Sequence, residues 1–251
     1  MSKAWKSLRS VRLQSLTVAF ASLLAATVPV AASTFNIAPI RANLSGGHHT
    51  EVLTLANVED EPVVVQVLVV RWSQEKGEDQ LDETRDILAT PPVLQIGPKS
   101  EQIVRVALRQ QPDAARELSY RIVFQEVPQT AATQFMGLRV ALRLSVPVFI
   151  APAAGKPVAD VVWEARWLPD GKLEVAATNR GNAHLQVTDF EVQLADAGSK
   201  IRGITSKYVL PGSRMSWVLT PPADATHQGP IRIHGRSDQG EFSADVAVNS
   251  L

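Results

Sequence analysis

Hydrophobic residues between positions 35 and 150 recur at every second position, in short runs rich in Val and Ile that turn-forming clusters separate. Alternation with a period of two residues predicts β-strands that bury one face. The predicted strands of this segment are 35–44, 50–57, 63–72, 94–96, 102–108, 119–126 and 137–150. Strands at this spacing predict an antiparallel β-sandwich.

A second β-rich segment follows a break at residues 151–157, where two prolines, one glycine and small residues predict a linker. Its predicted strands are 161–168, 172–179, 185–195, 207–210, 214–220, 231–235 and 241–248. The sequence shows no convincing helix and no internal repeat that registers position by position. We therefore predict an all-β protein with an N-terminal domain over residues 33–152 and a shorter C-terminal β-sandwich domain over residues 153–251.

The first 32 residues have the pattern of an export signal. Cations at positions 3, 6, 9 and 12 precede an uncharged, largely apolar stretch over residues 13–30, which ends in the small residues Ala31 and Ala32. This order predicts a signal peptide over residues 1–32 that is cleaved after Ala32. A membrane anchor is the alternative, but polar residues dilute the stretch and no charge follows it. We expect no membrane insertion after cleavage.

Composition narrows the function classes. The 251 residues include 25 Lys and Arg against 25 Asp and Glu, and 45% are hydrophobic. A net charge of zero argues against a nucleic-acid partner and against a polybasic membrane-surface protein, because both depend on an excess of cations. The chain has no cysteine, so each domain is stabilised by its core without disulfides.

The run from Leu138 to Val148 alternates without interruption and predicts a strand about 37 Å long, roughly twice the usual length. It could be an ordinary sandwich strand with one face in the core. A strand this long could also leave apolar side chains and an edge uncovered, and Pro147 favours an edge position because proline donates no ladder hydrogen bond. The second interpretation predicts pairing with a strand of another protein.

Arg41 lies between Ile40 and Ala42 in a stretch that is otherwise uncharged. A solvated position or a surface salt bridge would explain it. Directed into a cleft, its planar guanidinium would instead suit a carboxylate, such as the carboxyl terminus of another chain.

The order of several short motifs resembles the periplasmic chaperones of the chaperone-usher pilus pathway, the PapD-like family. The motifs that carry this resemblance are residues 39–41, 89–92, 103–105, 125–128, 179–182 and 209–214. Each is weak alone, but their order and spacing together are specific, and the resemblance extends over essentially the whole predicted mature chain. The resemblance implies two immunoglobulin-like β-sandwiches in a boomerang arrangement.

The resemblance also implies a function without catalysis or cofactors. Members of the family bind pilin-type or fimbrial subunits that lack their last strand, lend them a strand, and deliver them to an outer-membrane usher. The donated side chains here would be Leu138, Val140, Leu142, Leu144 and Val146. Arg41 would bind the terminal carboxylate of the subunit. An interdomain charge network would comprise Arg105, Glu126 and Asp238.

One position departs from the family pattern. Pro147 stands where the family usually has a lysine that shares the carboxylate with the arginine. The departure resembles the branch that serves spore-coat-protein-U-type subunits, and therefore implies coat-type subunits as partners. The alternatives for a second cation are Arg121 and Arg143.

Other chemistry is not indicated. His48 and His49 are adjacent, with too few further ligands for a metal site, and the sequence has no nucleophile motif and no phosphate-binding loop. We therefore expect no metal and no enzymatic activity. The alternative function is a secreted two-domain adhesion or carbohydrate-binding module, and self-association through an uncovered strand is a further option.

Overall fold

A computed structural model describes residues 35–128, 141–195, 200–223, 225 and 229–249. These residues form strands and turns and contain no helix, which confirms the all-β prediction. Accordingly, the described ranges hold no helix of the length and hydropathy that crossing a membrane requires. The predicted signal peptide lies outside the described residues, as do the predicted donor residues Leu138 and Val140.

The described part of the first domain contains ten strands, several of which alternate between buried and exposed side chains. These strands are β1 (Phe35–Ala38), β2 (Ala42–Leu44), β3 (Thr50–Asn57), β4 (Val63–Glu75), β5 (Glu78–Glu83), β6 (Ile87–Thr90), β7 (Val93–Ile96), β8 (Glu101–Leu108), β9 (Leu118–Glu126) and β10 (Arg143–Ile150). One sheet has the order β1-β3-β8-β6. The other has the order β2-β10-β9-β4-β5, with β7 also paired to β4.

The two sheets of the first domain enclose one apolar core. Phe35 from β1, Leu53 from β3 and Phe124 from β9 are completely buried within it. Burial of such side chains is the main favourable contribution to folding, roughly 1.5–3 kcal/mol for each large apolar residue. The core therefore accounts for stability without disulfides in this domain.

The second domain is also a sandwich of two sheets, with fewer strands among its described residues. Its strands are β11 (Val161–Trp167), β12 (Leu173–Asn179), β13 (Leu185–Gln193), β14 (Lys200–Val209), β15 (Arg214–Leu219), β16 (Ile231–Ser237), β17 (Gly240–Val246) and β18 (Val248–Asn249). The sheet orders are β15-β12-β11-β18 and β14-β13-β16-β17. A separate core fills the space between these sheets, with Val175, Val187 and Ile233 completely buried.

A buried asparagine closes one end of each sandwich in the same way. The backbone N–H of Asn57 donates to the carbonyl of Ser100, and its side-chain amide donates to Gly97 O at 3.0 Å. In the second domain the backbone N–H of Asn179 donates to Ser213 O at 2.9 Å. Its side-chain amide donates to two buried carbonyls at 2.7 and 2.9 Å. The domains thus share a structural feature that the sequence analysis did not identify.

The strand predictions differ from the structure where a strand lacks one clear apolar face or contains proline. The predicted strand 35–44 is divided at Pro39, which has no N–H for the ladder, and its second part joins the other sheet. All six side chains of β5 are exposed, so no alternation marks it. The predicted strand 137–150 begins in the structure only at Arg143; Ala141 and Leu142 precede it outside the strand.

Candidate functional site

The strand β10 has one edge that is only partly paired. On one side it pairs along its whole length with β9, from Arg143 opposite Gln125 to Ile150 opposite Leu118. On the other side β2 covers only its last three residues, Val148–Ile150, in parallel. Within the described part of the chain, the segment 143–147 therefore has no strand on its outer side, and we call it the open edge.

The register determines which backbone groups face the open edge. Glu126 donates its N–H to Leu142 O, so the even-numbered residues of β10 bond to β9 and the odd-numbered residues point away from it. The N–H and carbonyl groups of Arg143 and Ser145 are thus directed outward. Pro147 offers only its carbonyl there, in agreement with the edge position expected of a proline.

The predicted donor side chains become more buried along the strand. Leu142 and Leu144 are half-buried and pack against the core of the first domain, whereas Val146 is 4% exposed and belongs to that core. Leu142, Leu144 and the unpaired backbone edge are therefore accessible to a partner. Val146 is not, because it is packed in the core of its own domain.

Arg121 lies directly across from Pro147 on the neighbouring strand β9. Its guanidinium carbon is 3.7 Å from the centroid of the Trp72 ring, and its side chain is 18% exposed. Its charged partner is Asp79, at 3.4 Å, and its Nη1 donates to Ser145 Oγ at 3.5 Å.

The charge of Arg121 is incompletely compensated. Its Nε is buried and has no hydrogen-bond partner among the described residues. Burial lowers the pKa of Arg121, and electrostatic interactions with Asp79 and Tyr208 oppose that shift. A buried donor without a partner and a weakly paired guanidinium cost free energy, so this position favours an added anion.

Aromatic rings join the two domains next to this arginine. Trp72 and Phe149 of the first domain pack with Leu210 and Tyr208 of the second in a small separate cluster. The ring centroids of Trp72 and Tyr208 are 5.2 Å apart, and those of Phe149 and Tyr208 are 5.6 Å apart. We call this contact the joint; it places the base of β10 against the second domain.

Arg41 is at the same joint, but it is already paired. Its Nη1 donates to Asp238 Oδ2 at 2.6 Å and lies 3.1 Å from His184 Nε2. His184 stacks on Phe149 and its Nδ1 is 2.7 Å from Glu117 Oε1. Arg41 therefore bridges the domains, and its guanidinium is ion-paired with Asp238 in this structure.

The remaining predicted charges do not form one cluster. Asp238 is at the joint, in the turn between β16 and β17. Arg105 is on β8 of the opposite sheet, where the neighbours Val104 and Val106 are buried and Arg105 points to solvent. The Oε2 of Glu126 accepts the N–H of Leu142. Since Arg105 faces away from the joint, the structure does not bring it to Asp238.

The sequence did not identify three residues that lie at the joint or beside it, namely Trp72, His184 and Glu117. His184 and Glu117 are separated by 67 residues, and neither stands in a motif that indicates a charged pair. Trp72 looks like an ordinary apolar end of a strand. Arg143, the other alternative cation, is exposed on β10. Only a three-dimensional arrangement assembles these groups.

The fold and the joint place the chain among two-domain β-sandwich proteins, and sequence comparison refines this class. Residues 34–156 match the family model described as pili and flagellar-assembly chaperone, PapD N-terminal domain. The first domain therefore carries the sequence pattern of that family. No curated protein sequence is similar enough to the chain to count as a match.

Solved structures share the fold of both domains at low identity. A chain of the CsuC–CsuE chaperone–tip adhesion subunit pre-assembly complex, from archaic chaperone-usher Csu pili of Acinetobacter baumannii, aligns with a TM-score of 0.64 and 19% identity over 86% of this chain and 100% of that chain. The YadV chaperone aligns with a TM-score of 0.60 and 19% identity, over 85% of this chain and 100% of the YadV chain. A chain of the Salmonella enterica SafA pilin–SafB chaperone complex aligns with a TM-score of 0.57 and 17% identity, over 85% of this chain and 96% of that chain.

Proposed function

We propose that this protein is a chaperone for the subunits of surface fibres, and that it lends them the open edge of β10. The observation that carries the proposal is the juxtaposition of this unpaired edge with Arg121. A subunit that lacks one strand exposes a core groove and unpaired backbone groups, both of which promote aggregation. Pairing with Arg143 and Ser145 would satisfy those groups, and Leu142 and Leu144 would extend into the groove.

Arg121 is the cation that we assign to the terminal carboxylate of the subunit. It is adjacent to the end of the open edge, its Nε is unpartnered, and its guanidinium is held in place by Trp72. A planar guanidinium binds a carboxylate through two parallel hydrogen bonds. Arg41 is a second candidate only if it leaves Asp238. Arg143 lies at the other end of the open edge from Pro147.

The wider setting of this function also belongs to the proposal. A signal peptide over residues 1–32 would place domains over 33–152 and 153–251 in the periplasm, where fibre or coat-type subunits pass to an outer-membrane usher. The family match and the similarity to a chain from an archaic chaperone-usher complex support this setting. The protein would act by binding alone, without a cofactor or a catalytic step.

The direct test is a proline substitution on the open edge. Because the N–H of Ser145 points away from β9, Ser145→Pro removes a donor from the open edge and leaves the ladder with β9 intact. We expect the variant to fold, as Pro147 already occupies an equivalent position, and to lose the subunits that co-purify with the wild-type protein from the native periplasm.

Leu144→Pro is the matched control, because its N–H points to β9 and its loss should destabilise the domain. Recovery of an unchanged set of subunits by folded Ser145→Pro would contradict strand donation. That outcome would favour an adhesion or carbohydrate-binding module that acts through its loops.

A further inference from the structure

Arg41 Nη1 and His184 Nε2 both lie near one oxygen atom of Asp238 at the joint. Asp238 Oδ2 is 2.6 Å from Arg41 Nη1 and 3.4 Å from His184 Nε2, while these two nitrogens are 3.1 Å from each other. The other ring nitrogen of His184, Nδ1, is 2.7 Å from Glu117 Oε1 and donates to it. This geometry fits a neutral imidazole, whose Nε2 accepts a hydrogen bond from Arg41.

Protonation of His184 makes this arrangement untenable. The Nε2 atom then carries a hydrogen and can only donate, so it competes with Arg41 for Asp238 Oδ2. Two cationic N–H groups at 3.1 Å repel each other, and one of them must move.

Arg41 is the group that is free to move. The side chain of His184 is 10% exposed, and it is fixed by the ring of Phe149 on one face and by Glu117 at its edge. The side chain of Arg41 is 31% exposed, so it has solvent on one side into which it can turn. Asp238 stays in place because its Oδ1 accepts the backbone N–H of Gln186 at 2.9 Å.

We propose that His184 is a positioning residue whose protonation transfers Asp238 from Arg41 to the imidazolium and releases the guanidinium of Arg41 to solvent. The released Arg41 is then free to bind another carboxylate. In a chaperone that acts as proposed above, on which this consequence rests, the released Arg41 becomes available to the subunit as a second carboxylate-binding cation beside Arg121.

The charged surroundings favour the protonated state. Glu117 faces His184 from the segment before β9, Asp238 from the β16–β17 turn and Arg41 from the connection between β1 and β2. Among the described residues, Tyr208 of β14 is a further titratable neighbour. Burial lowers the pKa of His184, but the hydrogen bonds to Asp238 and Glu117 outweigh it and the pKa is raised. Burial of Asp238 opposes its hydrogen bonds with His184, Gln186 and Arg41, and its pKa falls to about 2, so it stays ionised throughout the titration of His184.

The test is an NMR titration of the wild-type protein with ¹⁵N-labelled side chains. We expect the guanidinium signals of Arg41 to shift with the same midpoint as the imidazole nitrogens of His184, between about pH 5 and 8.5. In His184→Gln the Arg41 signals should be independent of pH over this range. Arg41 signals that do not follow His184 in the wild-type protein would overturn the proposal, and this result needs no variant to fold.

Acetate, used as a carboxylate probe, separates this inference from the proposed function. If His184 releases Arg41, acetate should perturb the Arg41 signals when His184 is protonated and leave them unchanged when it is neutral. An acetate effect that is equal at both pH values would show that Arg41 is accessible without the switch and would refute it. Failure of Ser145→Pro to abolish subunit binding would refute strand donation but would leave the coupling of His184 to Arg41 intact.

Discussion

The imidazole of His184 lies flat against the phenyl ring of Phe149, with the ring centroids 3.5 Å apart and an angle of 11° between the planes. Phe149 is on β10, the strand that carries the open edge, and His184 precedes β13 of the second domain. The contact therefore fastens the base of the open strand to the second sandwich. Its removal should affect how the two domains unfold.

Replacing Phe149 by Leu should weaken the coupling between the domains. The substitution keeps an apolar side chain but removes the stack, at a cost of about 1–2 kcal/mol. We expect differential scanning calorimetry to show two separated transitions in place of a more cooperative one. Val218→Ala, at a position 55% exposed on β15, is the control. A calorimetric profile identical to that of the wild type would mean that the stack does not couple the domains.

Arg121→Met should abolish subunit capture without loss of stability. The guanidinium is largely buried and weakly paired, so its replacement by an apolar side chain of similar length should be neutral or stabilising in thermal unfolding. Arg121→Lys keeps the charge but loses the planar fork and the stack on Trp72, and should recover less subunit than the wild type. Arg105→Met, at an exposed position on β8 of the opposite sheet, is the control. Undiminished capture by Arg121→Met would place the carboxylate elsewhere.

Stability should pass through a maximum in mildly acidic solution. His184 has a raised pKa, so its stabilising contribution is complete below the pKa of the unfolded chain and is lost as pH rises through the folded-state value. Asp238 has its pKa lowered to about 2, so its contribution is present above roughly pH 4 and is lost as pH falls toward 2.

Urea unfolding at pH values between about 3 and 8.5 measures this profile. The alkaline decline should be absent in His184→Gln, and the acid decline should be reduced in Asp238→Asn. An alkaline decline of equal size in His184→Gln would assign it to other groups.

Substitution of either buried asparagine should destabilise its own domain. Asn57→Ala or Asn179→Ala leaves buried carbonyl groups without donors, and we expect a loss of about 2–4 kcal/mol in the free energy of unfolding. Chemical denaturation followed by tryptophan fluorescence measures it. Asn43→Ala, at an exposed position on β2, should change little. Equal stabilities for the buried and the exposed variants would show that the amides do not close the sandwiches.

The predictable part of the fold is the part in which each strand has one buried face. In β3 and β8 the buried residues alternate with exposed ones, and the sequence pattern reports this directly. In β5 no side chain is buried, and its place is set by the turn at Lys76 and Gly77, both with positive φ, which folds it back onto β4. A strand stabilised by its turn and its backbone ladder leaves little hydrophobic signal.

Single residues of the site could be predicted from the sequence, but the contacts between them could not. Arg41 and Asp238 were both identified from the sequence, but in different roles, because their ion pair joins positions 197 residues apart. Arg121 was an alternative cation, and its importance comes from the unpartnered Nε and the Trp72 ring beneath it. Such properties depend on which side chains the fold brings into contact, and no local spacing encodes them.

Pro147 also sets a boundary for any strand that docks on β10. A guest strand finds N–H donors at Arg143 and Ser145 and then meets a residue that has none, immediately before β2 takes over the edge at Val148. A guest displaced further along would lose a hydrogen bond and collide with β2. Pro147 therefore fixes the register of the guest strand on β10. Arg121 lies opposite Pro147, where the pairing of the guest ends.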